Sequence, residues 1–347
     1  MNHILSSLFA NASITLPITK ESKIVILSDL HMGSGGRSDD FAKNARLVHD
    51  ALKKFYLPGG YILILNGDIE ELLRNRLRDI EDAWEDIYGL FSEFRKAGRL
   101  YRLIGNHEIV PGPDGDALRY DGESLRMEYE GKDILVFHGH QGDRLNCGRY
   151  NRVIGWVLRT FANYFAISNK SVAHDSVKKY QIEKRVYEFS RKAGILSIIG
   201  HTHRPLFESL SKAEAIGYRI ERLCRKYPKA DEAQRIRIRK TIEILRCEKN
   251  TKKEDRGTRI VDSLYGDILI PCVFNAGCAV GKKGITSIEI KKGKISLVYW
   301  SQINRSKKYL QYNEYKSALR IGEDAFRVIL RRQSLAYIFS RISLLGN

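Results

Sequence analysis

Five short runs of apolar, β-branched-rich residues each break off directly into aspartate, asparagine or histidine. That repeated junction constrains the fold more than any other feature of the chain. The runs are Lys23–Leu27, Tyr61–Leu65, Leu100–Ile104, Asp133–Phe137 and Ile195–Ile199. Continuous apolar runs this short, bounded by glycine and polar residues, read as strands buried on both faces. Between the first three lie segments with helical spacing, Phe41–Phe55 and Asp79–Lys96. Strand alternating with helix implies βαβ units and an α/β sheet.

The chemistry sits at the strand ends. The runs finish in Asp29-Leu-His31, Asn66-Gly67-Asp68, Gly105-Asn106-His107-Glu108, His138-Gly-His140 and Gly200-His201-Thr-His203. In α/β sheets, ligands bind beyond the carboxyl ends of the strands, where the connecting loops leave a crevice. Carboxylate and imidazole combined suit first-row divalent metals. Asp29, His31, Asp68, Asn106, His138, His201 and His203 can hold two ions if one carboxylate bridges them. Two ions roughly 3.5–4 Å apart, with a water or hydroxide between, clamp a phosphoryl group for in-line attack.

Taken in order, DLH, GD, GNHE, HGH and GHTH resemble the motif set of the calcineurin-like metallophosphoesterase superfamily. The resemblance covers residues 23–207, and Pro271–Trp300 is similar to the family's closing strands. It implies a four-layer α/β/β/α sandwich. It also implies one metal held by Asp29, His31, Asp68 and His203, and a second held by Asp68, Asn106, His138 and His201, with Asp68 bridging. Manganese is the first expectation for the two divalent ions, with iron or zinc as alternatives. Within the pattern His107 is no ligand; it donates a hydrogen bond or proton to the phosphoryl or leaving-group oxygen, and Glu108 orients it. Arg204, Asn106 and His140 are the candidate substrate contacts. Arg204 reads equally as half of a loop-fixing salt bridge, and His140 as a partner that orients a ligand or as a plain loop residue.

The catalytic domain is expected over residues 20–300, with two helical additions. Residues 150–193 carry no strand signal; Tyr150–Phe165 is apolar and aromatic and Val172–Arg191 amphipathic, which suggests a helical cap. Residues 209–260 read as a basic helical-hairpin insertion, interrupted at Pro228, with 16 Lys/Arg against 8 Asp/Glu. Closing strands are expected at Ile268–Phe274, Thr286–Ile290 and Lys294–Trp300. The remainder, 301–347, is a basic C-terminal extension in which Phe326–Leu345 has a helical pattern with one apolar side.

Composition bears on partners. A formal charge of +18 suggests, beside a phosphorylated substrate, an anionic surface or nucleic acid. An interfacial C-terminal helix would meet an anionic membrane; the same apolar side could instead dock on the sandwich. Five cysteines without a Cys-x-x-Cys pair fit reduced thiols in a cytoplasmic compartment. No secretory signal or membrane span is read, so a cytoplasmic protein, at most peripheral to the membrane, is expected. The HTHRP sequence (His201–Pro205) and the apolar cap are similar to the UDP-2,3-diacylglucosamine pyrophosphatase branch, although that branch more usually has Arg where His107 stands. A nuclease or phosphodiesterase of the same superfamily is the other alternative; the basic hairpin is poor in aromatics for base stacking.

Overall fold

A computed structural model describes residues 3–110, 120–142, 176–209, 220, 223–224, 227–250, 270–281, 284–302, 318–322 and 325–346. Among these the strands form two sheets. In spatial order the seven-stranded sheet runs β11 (Leu319–Ile321), β12 (Ala325–Ser334), β10 (Lys294–Gln302), β9 (Ile285–Lys291), β2 (Lys23–Leu27), β3 (Ile62–Asn66), β4 (Leu100–Leu103). The five-stranded sheet runs β1 (Ile14–Ile18), β5 (Ser124–Tyr129), β6 (Lys132–Phe137), β7 (Leu196–Ile199), β8 (Val273–Asn275). β2, β3 and β4 are parallel, as are β6, β7 and β8, so each sheet sends the carboxyl ends of three strands the same way.

Strand alternation explains why the fold has four layers. Ile24, Ile26 and Ile64 face a core shared with Leu125, Met127, Ile134 and Val136 of the other sheet. Their neighbours Val25, Leu27, Leu63 and Leu65 face the opposite way, into a second core. There they meet α2 (Ala45–Ala51) and α4 (Glu85–Lys96), which is preceded by α3 (Leu77–Ala83). Burial on both faces requires continuous apolar strands, and each fully buried Leu or Ile stabilises by about 1.5–3 kcal/mol relative to exposure. α4 buries Ile87, Leu90, Phe91 and Phe94, one stripe at helical spacing; Glu85 and Asp86 open it and Arg95 and Lys96 close it, each charge matching the helix dipole. On the five-stranded sheet, α1 (His3–Ala10) packs near β5, and α5 (Ser176–Ala193) packs on β7 and β8.

Several expectations change here. The helix over Phe41–Phe55 is a 3₁₀ turn at Phe41–Lys43, then α2, then a π-turn at Leu52–Tyr56 that ends with Tyr56 fully buried. From Ser176 on, the segment read as a cap is an outer-layer helix; Tyr150–Phe165 and the rest of 150–175 lie outside the described residues. In the basic insertion, α6 (Glu232–Asn250) packs Leu245, Ile238 and Ile242 against Leu223 and Ile220, a small cluster separate from the two large ones.

The helical reading of Phe326–Leu345 is corrected in its first half. Ala325–Ser334 is β12, paired antiparallel with β10 along its whole length; only α7 (Leu335–Leu345) is helical. Pairing satisfies the backbone groups that β10, nine residues long, would otherwise leave open at an edge, and that gain overrides the local period. The strand also buries Arg327 against Glu289, whose carboxylate accepts a 2.8 Å hydrogen bond from Tyr56 Oη. The apolar side of α7 (Leu335, Ile338, Phe339, Ile342) lies in the main core, leaving Tyr337, Leu344 and Leu345 exposed. No helix among the described residues is long and apolar enough to cross a membrane.

Candidate metal centre

The five loops meet where the carboxyl ends of β2, β3, β4, β6 and β7 converge. At three of the five loops the turn is tight enough to force L-residues into the left-handed region: φ is 56° at Asp29, 50° at His31, 52° at Asp68, 63° at His201 and 54° at His203. Such conformations cost about 1–3 kcal/mol each and persist only when the surroundings over-determine them. The surroundings do. Asp29 N–H donates to Gly67 O and His31 N–H to Asp68 O, tying the first loop to the second. His201 N–H donates to both Asp29 carboxylate oxygens at 3.1 and 2.9 Å, and His107 N–H to Asp68 Oδ1 at 2.9 Å. Gly105 is needed for the approach: a Cβ there would stand 2.3 Å from both the amide nitrogen and Oδ1 of Asp68.

Three groups of ligand atoms result, within each of which all atoms lie within 4.8 Å of one another: Asp29, His31 and His203; His31, Asp68 and His107; Asp68, His138 and His201. His31 links the first two and Asp68 the last two. His203 Nε2 is 3.1 Å from Asp29 Oδ1 and 3.0 Å from His31 Nε2; His138 Nε2 is 3.1 Å from Asp68 Oδ2. Asn106 Oδ1 and His201 Nε2 are buried with no hydrogen-bond partner. Leaving such atoms bare costs about 1–3 kcal/mol each, a cost that a cation bound by their lone pairs would remove. The donor set therefore fits a divalent metal: six of the seven expected ligands (Asp29, His31, Asp68, His138, His201 and His203) fall within these groups, and the seventh, Asn106, lies on the loop after β4 with its buried Oδ1 unbonded.

Electrostatics point the same way. Burial would raise Asp68, but His138, His107 and His31 outweigh it and hold the carboxyl well below its usual range. Burial would likewise raise Asp29, and His203 and His138 hold it down. Conversely, burial would lower His138 and His107, yet the Asp68 carboxylate keeps both imidazoles up at about 9. Burial would also lower His203, which Asp29 keeps up at about 10. His201 is pushed well below the ordinary value by burial and by His138. Metal and protons compete for such a site, because ligation requires neutral imidazole.

His107 is held by a residue the sequence did not single out. Its Nδ1 lies 2.8 Å from Glu71 Oε1, while the other oxygen of Glu71 lies 3.0 Å from His31 Nδ1. One carboxylate thus orients two imidazoles, and burial is outweighed by His107 in keeping Glu71 well below its usual range. The expectation that Glu108 orients His107 is corrected. Glu108 accepts backbone hydrogen bonds from Gly105 at 2.6 Å, Asp68 at 2.9 Å and Ile69, stapling the second loop to the third. Its carboxylate is consumed by the peptide groups that the tight turns leave unpaired. Glu71 lies three residues past Asp68 in a run of acidic residues, and that spacing is the one local signal that could have marked it.

His140 is buried, its Nδ1 unbonded and its ring centroid 5.5 Å from that of His138; burial and His138 push it down to about 3. It is a neutral imidazole beside the centre and joins none of the three ligand groups. Arg204 is held by Glu183 of α5: Nε donates at 3.1 Å and Nη2 meets the other oxygen.

Among curated proteins, none matches the sequence. A solved structure of a cold-active protein-tyrosine phosphatase from a psychrophile, Shewanella sp., matches with 14% identity over 82% of this chain and 80% of that one. Its TM-score of 0.36 is too low to bear on fold or substrate. The calcineurin-like phosphoesterase family model matches residues 22–231, more than half of the chain and every loop of the centre. The chain belongs to the calcineurin-like phosphoesterase family and is a metal-dependent phosphoesterase.

Proposed function

We propose that the chain hydrolyses a phosphate ester or pyrophosphate bond at a pair of divalent cations, manganese foremost, that share Asp68. One cation would take Asp29, His31, Asp68 and His203; the other would take Asp68, Asn106, His138 and His201. The observation that carries this reading is the unbroken run of three ligand groups joined through His31 and Asp68. The buried, unbonded atoms of Asn106 and His201 support it. Bound there, the cations would supply an activated water and neutralise charge that develops on the phosphoryl oxygens.

The chain's own residues do the rest. Glu71 fixes His107 through Nδ1, which leaves Nε2, 3.8 Å from Asp68 Oδ2, turned to the same centre. From there His107 gives a hydrogen bond or proton to the phosphoryl or leaving-group oxygen. The left-handed loops and the Glu108 staple pre-set the ligands, so little reorganisation is needed when cation and substrate arrive.

The test is to strip the purified chain with chelator, restore Mn²⁺, Fe²⁺ or Zn²⁺ singly, and assay side by side. Substrates are phosphomonoesters, phosphodiesters, nucleotide-linked pyrophosphates and nucleic acid. Loss of turnover on stripping and recovery with a bound stoichiometry of two is expected. Full turnover by metal-free protein in excess chelator would overturn the reading.

A further inference from the structure

The His201–His203 loop sends alternate side chains to opposite sides. His201 reaches the group with Asp68 and His138, and His203 reaches the group with Asp29 and His31. Thr202 between them turns away. Its hydroxyl donates at 2.8 Å to Glu183 Oε1 and accepts at 2.9 Å from Asn275 Nδ2, which also donates to Gly200 O at 2.8 Å. Glu183 is 1% exposed and takes Arg204 as well, so one buried carboxylate grips the loop on both sides of His203.

From this we propose that Glu183 is a positioning residue for the metal centre, acting through Thr202 and Arg204 on both histidines at once. The inference rests on the hydrolytic reading above and goes beyond its ligand set, because Glu183 lies outside every motif of the five loops. Two physical points carry it. First, His201 and His203 are both left-handed, and a loop so strained relaxes unless something external holds it. Replacing the Glu183 carboxylate by an amide would take from Thr202 its charged acceptor and from Arg204 this counter-ion. Second, the same helix fixes the preceding loop: Arg185 Nη1 donates to Gly142 O at 2.7 Å, just past His138 and His140. α5 is thus the common reference for two of the five loops, and Glu183 is its contact with the strained one.

The variant Glu183→Gln tests this in the full-length chain, with Mn²⁺ as the probe. Calorimetric titration reads binding without turnover, and hydrolysis against Mn²⁺ concentration reads function. The half-saturating Mn²⁺ concentration should rise about 10–100-fold in both, the range for groups that orient ligands. Turnover at saturating Mn²⁺ should return close to the wild-type rate. Thr202→Val, which removes the hydroxyl alone, should shift Mn²⁺ binding the same way, and Thr202→Ser should restore it. If Glu183→Gln does not fold, the Thr202 pair decides. A purely structural role would lower the melting temperature and leave the Mn²⁺ midpoint of the folded fraction unchanged, and that result would overturn the proposal. Wild-type protein that takes up no divalent cation would instead sink the metal reading itself, and this inference with it.

Discussion

The metal-loop rim and the α6 insertion are held by opposite means. At the rim, five residues sit in left-handed conformations and carboxylates are packed against imidazoles out of water. That arrangement survives because every loop hangs from a strand rooted in one or both of two large apolar cores. In α6 of the insertion the backbone is regular helix, the charges of Arg237, Arg239, Lys240 and Arg246 are exposed, and among the described residues the core shrinks to Leu223 and Leu245 with a few half-buried neighbours. Backbone strain and buried charge accumulate where apolar backing is deep; where it is shallow the chain adopts only conformations that need little support. Substitutions should therefore act on chemistry at the rim and on local order in the insertion.

The largest effect is expected at Asp68, which joins two ligand groups. Asp68→Ala should lose cation uptake by elemental analysis and bring hydrolysis down to background. Gly105→Ala should approach the same result through packing alone. Its Cβ would sit 2.3 Å from Asp68 N and Oδ1, and overpacking of this kind costs about 1–3 kcal/mol while displacing the shared carboxylate. A Gly105→Ala protein that keeps full metal content would break the claim that the rim has no slack.

Next comes His107, where binding and chemistry should separate. His107→Ala should retain cations and lose about 10²- to 10⁴-fold in turnover, as for a general acid–base group. Glu71→Gln, which loosens both His107 and His31, should reduce turnover less and also weaken cation uptake. A His107→Ala protein that takes up no metal would make His107 a ligand, as its place in the middle group of three allows.

How far the sequence foretold this contrast depends on how local each signal is. Lys23–Leu27 was legible to the residue, because a strand buried on both faces writes an uninterrupted apolar run. The ligands were legible because they come directly after such runs. β1 and β5 were not, for ITLPI and SLRMEY are short and mix polar with apolar residues. β12 was misread because AFRVIL satisfies a helical period as well as a strand, and what decides is pairing with β10, whose position the local sequence does not state. Glu183 escaped for the same reason: its role is set by what lies across a layer, and the local sequence carries no trace of it. Glu71 left only its spacing from Asp68 as a local sign.

In the insertion, Leu245→Ala should cost about 2 kcal/mol, the low end for a buried leucine, since so small a cluster can collapse around the gap. The loss should stay local. Hydrogen exchange should quicken across α6 and remain unchanged in β3, with hydrolysis of a small ester unaffected. Quickened exchange in β3 would show that the insertion and the large cores unfold as one unit.

The smallest effect is expected from replacing Arg237, Arg239, Lys240 and Arg246 of α6 together by Gln. None of the four is buried, and one, Arg239, stands over the Tyr227 ring at 5.4 Å. A cation–π contact at an exposed position contributes about 0.5–1 kcal/mol, and surface substitutions without such a contact about 0.5 kcal/mol at most. The summed change in stability should thus stay below about 2.5 kcal/mol, read as a small shift in the denaturation midpoint. Turnover of a small chromogenic ester should not change, because exposed charges are screened beyond about 8 Å at physiological salt. Retention on an immobilised polyanion should fall, and its salt dependence should flatten, because four positive charges are gone. A fall in small-ester turnover would mean that α6 reaches the rim electrostatically or through packing. The two regions would then be one functional unit, and the contrast between them would fail.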